Sequence, residues 1–309
     1  MLIVNKRSTP ISWQTHIVNF VLRIMKPMLA KQEGDQLVGF LRKQMAMTGE
    51  KTPKGAIVEK ILMGGVECEW VSVGSVPSNK ALVYFHGGAY VSGSPVSHRD
   101  YAAAMATALG IKLLMVDYRL APEYPFPAPI EDALAVYKAL VEDGYDANDL
   151  LVGGDSAGGN LALSLLQQIR GLGLTMPKAA CLFSPWLDLT HAGGSMVTNA
   201  AVDPMLPVTM LQRCADIYAA GADKNDPLIS PIFTDMTDFP PMIIHVGSTE
   251  ILLDDAKTIA KLCEQAGVEA VLNIWGKAPH AFPVLVKFLP EARAAIEQTA
   301  EFFRTKLNP

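Results

Sequence analysis

The chain is 309 residues long, half of them hydrophobic and 18% charged, with 26 Lys/Arg against 31 Asp/Glu for a net charge of −5. A chain of this length and apolarity can bury a large core without disulfides or metals, which excludes intrinsic disorder. No Lys/Arg cluster suited to neutralising phosphates interrupts the acidity, which argues against nucleic acid as a partner. The longest stretch free of Asp, Glu, Lys and Arg, residues 81–98, holds two His and a Pro, and no membrane span is expected.

Residues 10–48 read as two helices. Ile17, Phe20, Val21 and Ile24 recur at three- and four-residue steps, as do Leu37, Phe40, Leu41 and Met45. With no strand beside them, they form an accessory layer. The beginning of the chain lacks the compact apolar core and small-residue cleavage site of a signal peptide, so a cytoplasmic location is the default expectation. From Ile57 the pattern changes. Ile57–Met63 and Val66–Val73 flank Gly64-Gly65 and read as a hairpin. Apolar runs follow at Ala81–Phe85, Ile111–Val116, Leu150–Val152, Ala179–Phe183, Met242–Val246 and Ala270–Ile274. Strands apolar on both sides suit a sheet covered by helices on both faces. Helical patterns cover roughly 98–109, 129–140, 157–170, 251–266 and 290–306. The sum is an α/β architecture with a mostly parallel eight-stranded sheet. Almost sixty residues separate the strands at 183 and 242, too many for a plain crossover. The expected organisation is therefore cap helices in 1–50, a catalytic domain in 51–185 and 226–309, and a cap insertion in 186–225, helical near 206–220.

Four widely spaced cysteines (Cys68, Cys181, Cys214 and Cys263) form no C-x-x-C pair and read as buried, reduced thiols. The strongest chemical signal is Gly154-Asp155-Ser156-Ala157-Gly158, a G-x-S-x-G motif between a short strand and a helix. A serine nucleophile needs its Oγ exposed on a sharp strand-to-helix turn, and the glycines make room for that turn. A second signal, His86-Gly87-Gly88, follows a strand seventy residues upstream. Amides of Gly87, Gly88 and Ala157 are expected to hold the oxyanion of a tetrahedral intermediate. Among six histidines, only His280 follows the last strand in a loop, which makes it the candidate general base. His245 lies mid-strand as a core residue, His16 and His191 in the cap, and His98 before a helix as a possible polar support near the serine. The acid should leave the preceding strand. Glu250 is favoured, and Asp254, one helical turn on, stays a rival.

Together with Asp117–Glu123 and Asp203-Pro204-Met205-Leu206, these motifs resemble the hormone-sensitive-lipase-like, bacterial family IV esterases of the α/β-hydrolase fold. The resemblance spans about residues 80–285. It implies a cofactor-free carboxylesterase acting on short- to medium-chain acyl esters, capped by the N-terminal helices and the 186–225 segment. Two departures stand out: Ala89 replaces the family's usual third glycine, and Glu250 replaces its commoner Asp. Tyr90, Met205 and Leu206 are candidate substrate contacts, and Met196, Val197, Val202, Met205 and Leu206 could line an acyl tunnel. The Asp117–Glu123 stretch reads as a rigid loop held by internal ion pairs. Pairing of two copies through the sheet edge at Ala270–Trp275 is a further expectation. An amidase, arylformamidase or deacetylase would share the machinery. A non-catalytic ligand receptor would lack one of the three residues present here, and an interfacial lipase is disfavoured because the cap segment shows no long apolar face.

Overall fold

The computed structural model describes residues 1–7, 11–47, 52–77 and 79–307; the ends of the two-helix reading at residues 10 and 48 lie outside them. Nine strands form one sheet: β1 Leu2–Arg7, β2 Ala56–Met63, β3 Val66–Val73, β4 Ala81–Phe85, β5 Lys112–Val116, β6 Leu150–Asp155, β7 Ala179–Phe183, β8 Met242–Gly247 and β9 Ala270–Trp275. The helices are α1 Trp13–Ala30, α2 Gly34–Ala46, α3 Arg99–Leu109, α4 Ala128–Glu142, α5 Ala157–Gly171, the single turn α6 Ser195–Thr198, α7 Val208–Ala219, α8 Leu253–Gln265 and α9 Pro290–Leu307.

Strand order is β1-β9-β8-β7-β6-β4-β5-β3-β2, parallel except where β3 pairs with β2 and β5. The β2–β3 turn uses Gly64 and Gly65 at φ +58° and +82°, values that a two-residue hairpin turn demands and side chains resist. Side chains alternate across the sheet. Val83 and Phe85 join the core beneath α4, α5 and α8, whereas Leu82 and Tyr84 join the core beneath α3 and α9. All four cysteines are free and buried.

Three expectations change. The sheet has nine strands, because Leu2–Arg7 pairs parallel with β9, from Leu2 opposite Ala270 to Arg7 opposite Trp275. A six-residue run ending in Asn5-Lys6-Arg7, with no turn signal before it, carries too little periodicity to be read as a strand. Residues 2–7 thus extend the sheet instead of joining the cap. The Ala270–Trp275 edge is consequently paired on both sides, by β8 and β1, so it is no open edge for a second copy. Finally, the ion pairs of Asp117–Glu123 leave the loop. Arg119 bonds Asp132 and Glu131 of α4, and Glu123 takes a forked bond from Arg42 of α2 at 2.6–2.7 Å. The loop is clamped to its neighbours rather than to itself.

Both helices read in 10–48 are present. They meet the insertion through Arg213, which donates to the carbonyls of Ala30 and Gln32, and through Lys26, which donates to those of Ala200 and Asp203. Their packing differs from the expected one: α1 buries Thr15 and Asn19, and Ile17, Phe20, Val21 and Ile24 stay exposed.

Candidate active site

Ser156 occupies the junction of β6 and α5 at φ +53°, ψ −120°. This left-handed value costs a non-glycine residue of the order of 1–2 kcal/mol. It is held by its own backbone: its N–H donates to Phe183 O at 2.9 Å, and its carbonyl accepts from Trp186 N at 3.1 Å. The turn closes only because its neighbours lack side chains. A Cβ on Gly154 would strike the carbonyl of Gly158, and one on Gly158 would strike that of Phe85. The spacing of G-x-S-x-G is thus a packing requirement between β4 and α5.

His280 and Glu250 lie past the ends of β9 and β8. His280 Nδ1 is 2.8 Å from Glu250 Oε2, and both groups are buried. Glu250 Oε1 accepts from Ser184 Oγ and from the amide of Gly247. Ser184 Oγ in turn accepts from the amide of Ala281, so one hydroxyl beside β7 ties the acid loop to the histidine loop. Burial alone would drive the His280 pKa down. The hydrogen bond and charge of Glu250, joined by the charges of Asp203 and Asp155, outweigh it and leave the pKa above the ordinary imidazole value. The elbow reaches the same place through β7, since the Ser156 amide donates to Phe183 and the next residue, Ser184, bonds both Glu250 and the loop of His280. Asp254 turns elsewhere: it accepts from the amide of Ser195 and pairs with Lys257.

The Gly-rich loop departs from expectation at one donor. The Gly87 amide donates to Asp155 Oδ1 at 3.0 Å and is therefore taken. Among the described residues, no protein acceptor takes the amides of Gly88, Ala89 or Ala157, and the last opens α5, whose N-terminus favours anionic oxygen. Ala89 adopts φ +55°, so an alanine holds the left-handed turn where the family usually has glycine. Asp155 also accepts from Tyr84 Oη at 3.0 Å and lies 3.2 Å from His98 Nε2. Burial pushes this carboxyl up, but His98 and Tyr84 more than offset that and hold it below the usual range. His98 is therefore the polar support behind the serine. His86 is fully buried, which drives its pKa down to about 3 and keeps it neutral, stacked on Tyr118.

Tyr90 does not line an open pocket. It is fully buried, donates to Asn160 Oδ1 at 2.8 Å and stacks on Tyr218 of α7 at 3.7 Å, fastening the insertion to the core. Met205 and Leu206 follow Asp203, whose Oδ1 accepts both their amides while Oδ2 accepts that of Ile251 beside Glu250. Leu206 and Met196 are buried; Val197 and Val202 are exposed. His245 sits in the core between Trp275 and Thr299, as its mid-strand position implies. His191 is half-buried near Trp186 and shifted down to about 4 by burial, whereas His16 is exposed. Sequence reasoning missed Ser184; a serine directly after a buried strand is its only signal.

The model of the alpha/beta hydrolase fold family matches residues 82–284. An acetyl-hydrolase of Streptomyces hygroscopicus is 39% identical over 268 residues, 87% of this chain and 88% of that protein. A crystal structure of EstE5 aligns with a TM-score of 0.92 at 35% identity, over 96% of this chain and all of that one. An esterase described as bacterial hormone-sensitive-lipase family aligns at 0.89 and 34%, over 97% of this chain and all of that one. The chain belongs to the hormone-sensitive-lipase-like esterases of the α/β-hydrolase fold. This hormone-sensitive-lipase-like esterase is a carboxylesterase, and its elbow and His280–Glu250 pair stand at the carboxyl ends of the parallel strands, where open α/β sheets bind their ligands. No helix among its described residues is long and apolar enough to cross a membrane.

Proposed function

We propose that this carboxylesterase cleaves small acyl esters by two-step acyl transfer on Ser156. His280 Nε2 takes the hydroxyl proton as Oγ attacks the ester carbonyl, and Glu250 fixes the ring and balances the imidazolium. The amides of Gly88, Ala89 and Ala157 receive the oxyanion, each donor contributing about 3 kcal/mol to the transition state. His280 then protonates the departing alcohol. Water, deprotonated by the same ring, releases the acid and restores the serine. The observation that carries this reading is the buried His280–Glu250 bond at 2.8 Å, tied through Ser184 to the end of the strand whose Phe183 carbonyl accepts the amide of Ser156, itself held at φ +53°.

The substrate class follows from two further points. Ser156 and His280 are each only 5% exposed, so the reacting atoms lie in an enclosed site. The relative from Streptomyces hygroscopicus is named an acetyl-hydrolase, which supports a short acyl group. Ser156→Ala should lower p-nitrophenyl acetate turnover by about 10⁴-fold or more while leaving thermal unfolding unchanged. Near-wild-type turnover in that variant would sink the proposal.

A further inference from the structure

Helix α1 is turned inside out. Its inward face is polar: Thr15 Oγ1 donates to Glu291, Asn19 Nδ2 to the carbonyl of Lys277, and Lys26 Nζ to those of Ala200 and Asp203. Its outward face carries Trp13, Ile17, Phe20, Val21, Ile24 and Met28, each between 47% and 68% exposed. At 100° per residue these six side chains fall within an arc of about 100°, a continuous apolar stripe along the whole helix. A soluble helix normally buries such a stripe.

Charge says what covers it. The first 32 residues contain Lys6, Arg7, Arg23, Lys26 and Lys31 and no Asp or Glu, so this segment carries +5 while the rest of the chain carries −10, although Lys6 and Arg7 belong to β1, Lys26 is turned inward, and Glu33 and Asp35 follow at once. Exposed Arg23 borders the stripe, and exposed Lys31 caps its end. A second copy seated on the same face about a two-fold axis would bring these like charges together. An apolar face edged by cations on an otherwise acidic molecule is the signature of a helix lying in the interface of an anionic bilayer.

We propose that α1 is a docking surface for an anionic lipid bilayer, on which its apolar stripe inserts among the acyl chains with Arg23 and Lys31 at the headgroups. Through Asn19 on Lys277 and Lys26 on Asp203, the same helix adjoins the loop of His280, so docking turns this side of the molecule toward the lipid. The surface does not depend on the acyl-transfer reading, since its measure is partition rather than turnover.

Flotation of the full chain with vesicles of phosphatidylcholine, with and without phosphatidylglycerol, tests this. Partition onto the anionic vesicles should exceed that onto neutral ones by about tenfold or more and fall at high salt. Trp13 emission should shift to shorter wavelength, a shift lost in Trp13→Phe. The double variant Phe20→Glu/Ile24→Glu should lose about tenfold or more of the partition with an unchanged unfolding temperature, because both positions are exposed. Ser156→Ala should partition as the wild type does. Failure to float with anionic vesicles, equal partition onto neutral ones, undiminished partition of the double variant, or a dimer that this variant dissolves in the absence of lipid binding would each overturn the proposal.

Discussion

At the scale of single residues, the imidazole of His280 is governed by opposing influences. Burial favours its neutral form, and the bond to Glu250 favours its charged form strongly enough to win. As general base the ring must be neutral, so kcat/KM should rise with pH along a limb whose midpoint lies above the ordinary imidazole value of about 6.5. In Glu250→Gln the burial stays while the charge that opposes it goes, and the limb should move to lower pH. For stability the sign is the reverse: a raised folded pKa stabilises the fold below the unfolded value and loses that contribution as pH rises through the folded one. Kinetics also separate the two carboxylates weighed for the acid. Glu250→Gln should lower kcat by about 10³- to 10⁴-fold. Asp254→Asn, whose carboxylate bonds Ser195 and Lys257, should stay within about threefold because a half-exposed pair contributes little. A larger loss in Asp254→Asn would reassign the acid.

At the scale of elements, the β6–α5 elbow depends on close approach. Gly158 stands where its Cβ would meet the carbonyls of Phe85 and His86, both backbone atoms of the strand and loop that carry the Gly-rich segment. Backbone cannot rotate aside as a long side chain can. Gly158→Ala should therefore cost about 2 kcal/mol or more and displace the amides of Gly88 and Ala89 from Ser156. Urea unfolding measures the first effect; a fall in kcat larger than any rise in KM reports the second. The loop and elbow are coupled again through Asp155, which holds the Gly87 amide, Tyr84 and His98 at once.

Across the whole molecule, the N-terminal helices, the 186–225 segment and the core are fastened to one another. Arg213 and Lys26 join the helices near the beginning of the chain to the insertion by bonds to main-chain carbonyls, and Tyr90 stacked on Tyr218 anchors α7 to the core. With Ser156 and His280 nearly closed to solvent, a series of p-nitrophenyl esters from acetyl to palmitoyl should peak at the short end. A palmitoyl ester should be turned over at least about 100-fold less efficiently than the best substrate, since each misfitted group costs transition-state binding. A maximum at the long end would refute the enclosed-site reading.

The chain itself determined the sheet and the elbow. Buried parallel strands leave uninterrupted apolar runs, and a turn that tolerates no Cβ leaves glycines at fixed spacing around Ser156, so both are written locally. His280 was legible by elimination, because its loop follows the last strand. Only tertiary structure shows that Glu250 bonds His280 while Asp254 bonds Ser195 and Lys257, since the two lie one helical turn apart and direction, not spacing, separates them. It also showed that the Gly87 amide is claimed by Asp155 from another strand, which leaves those of Gly88 and Ala89 without a protein acceptor among the described residues. It assigned Ser184 its bridge, buried Tyr90 against Tyr218, and placed Leu2–Arg7 on the sheet edge. The stripe on α1 makes the same point. Periodicity fixed that a helix would form there, but which side faces the protein depended on Glu291, Lys277 and Asp203, far away in the chain and near in space.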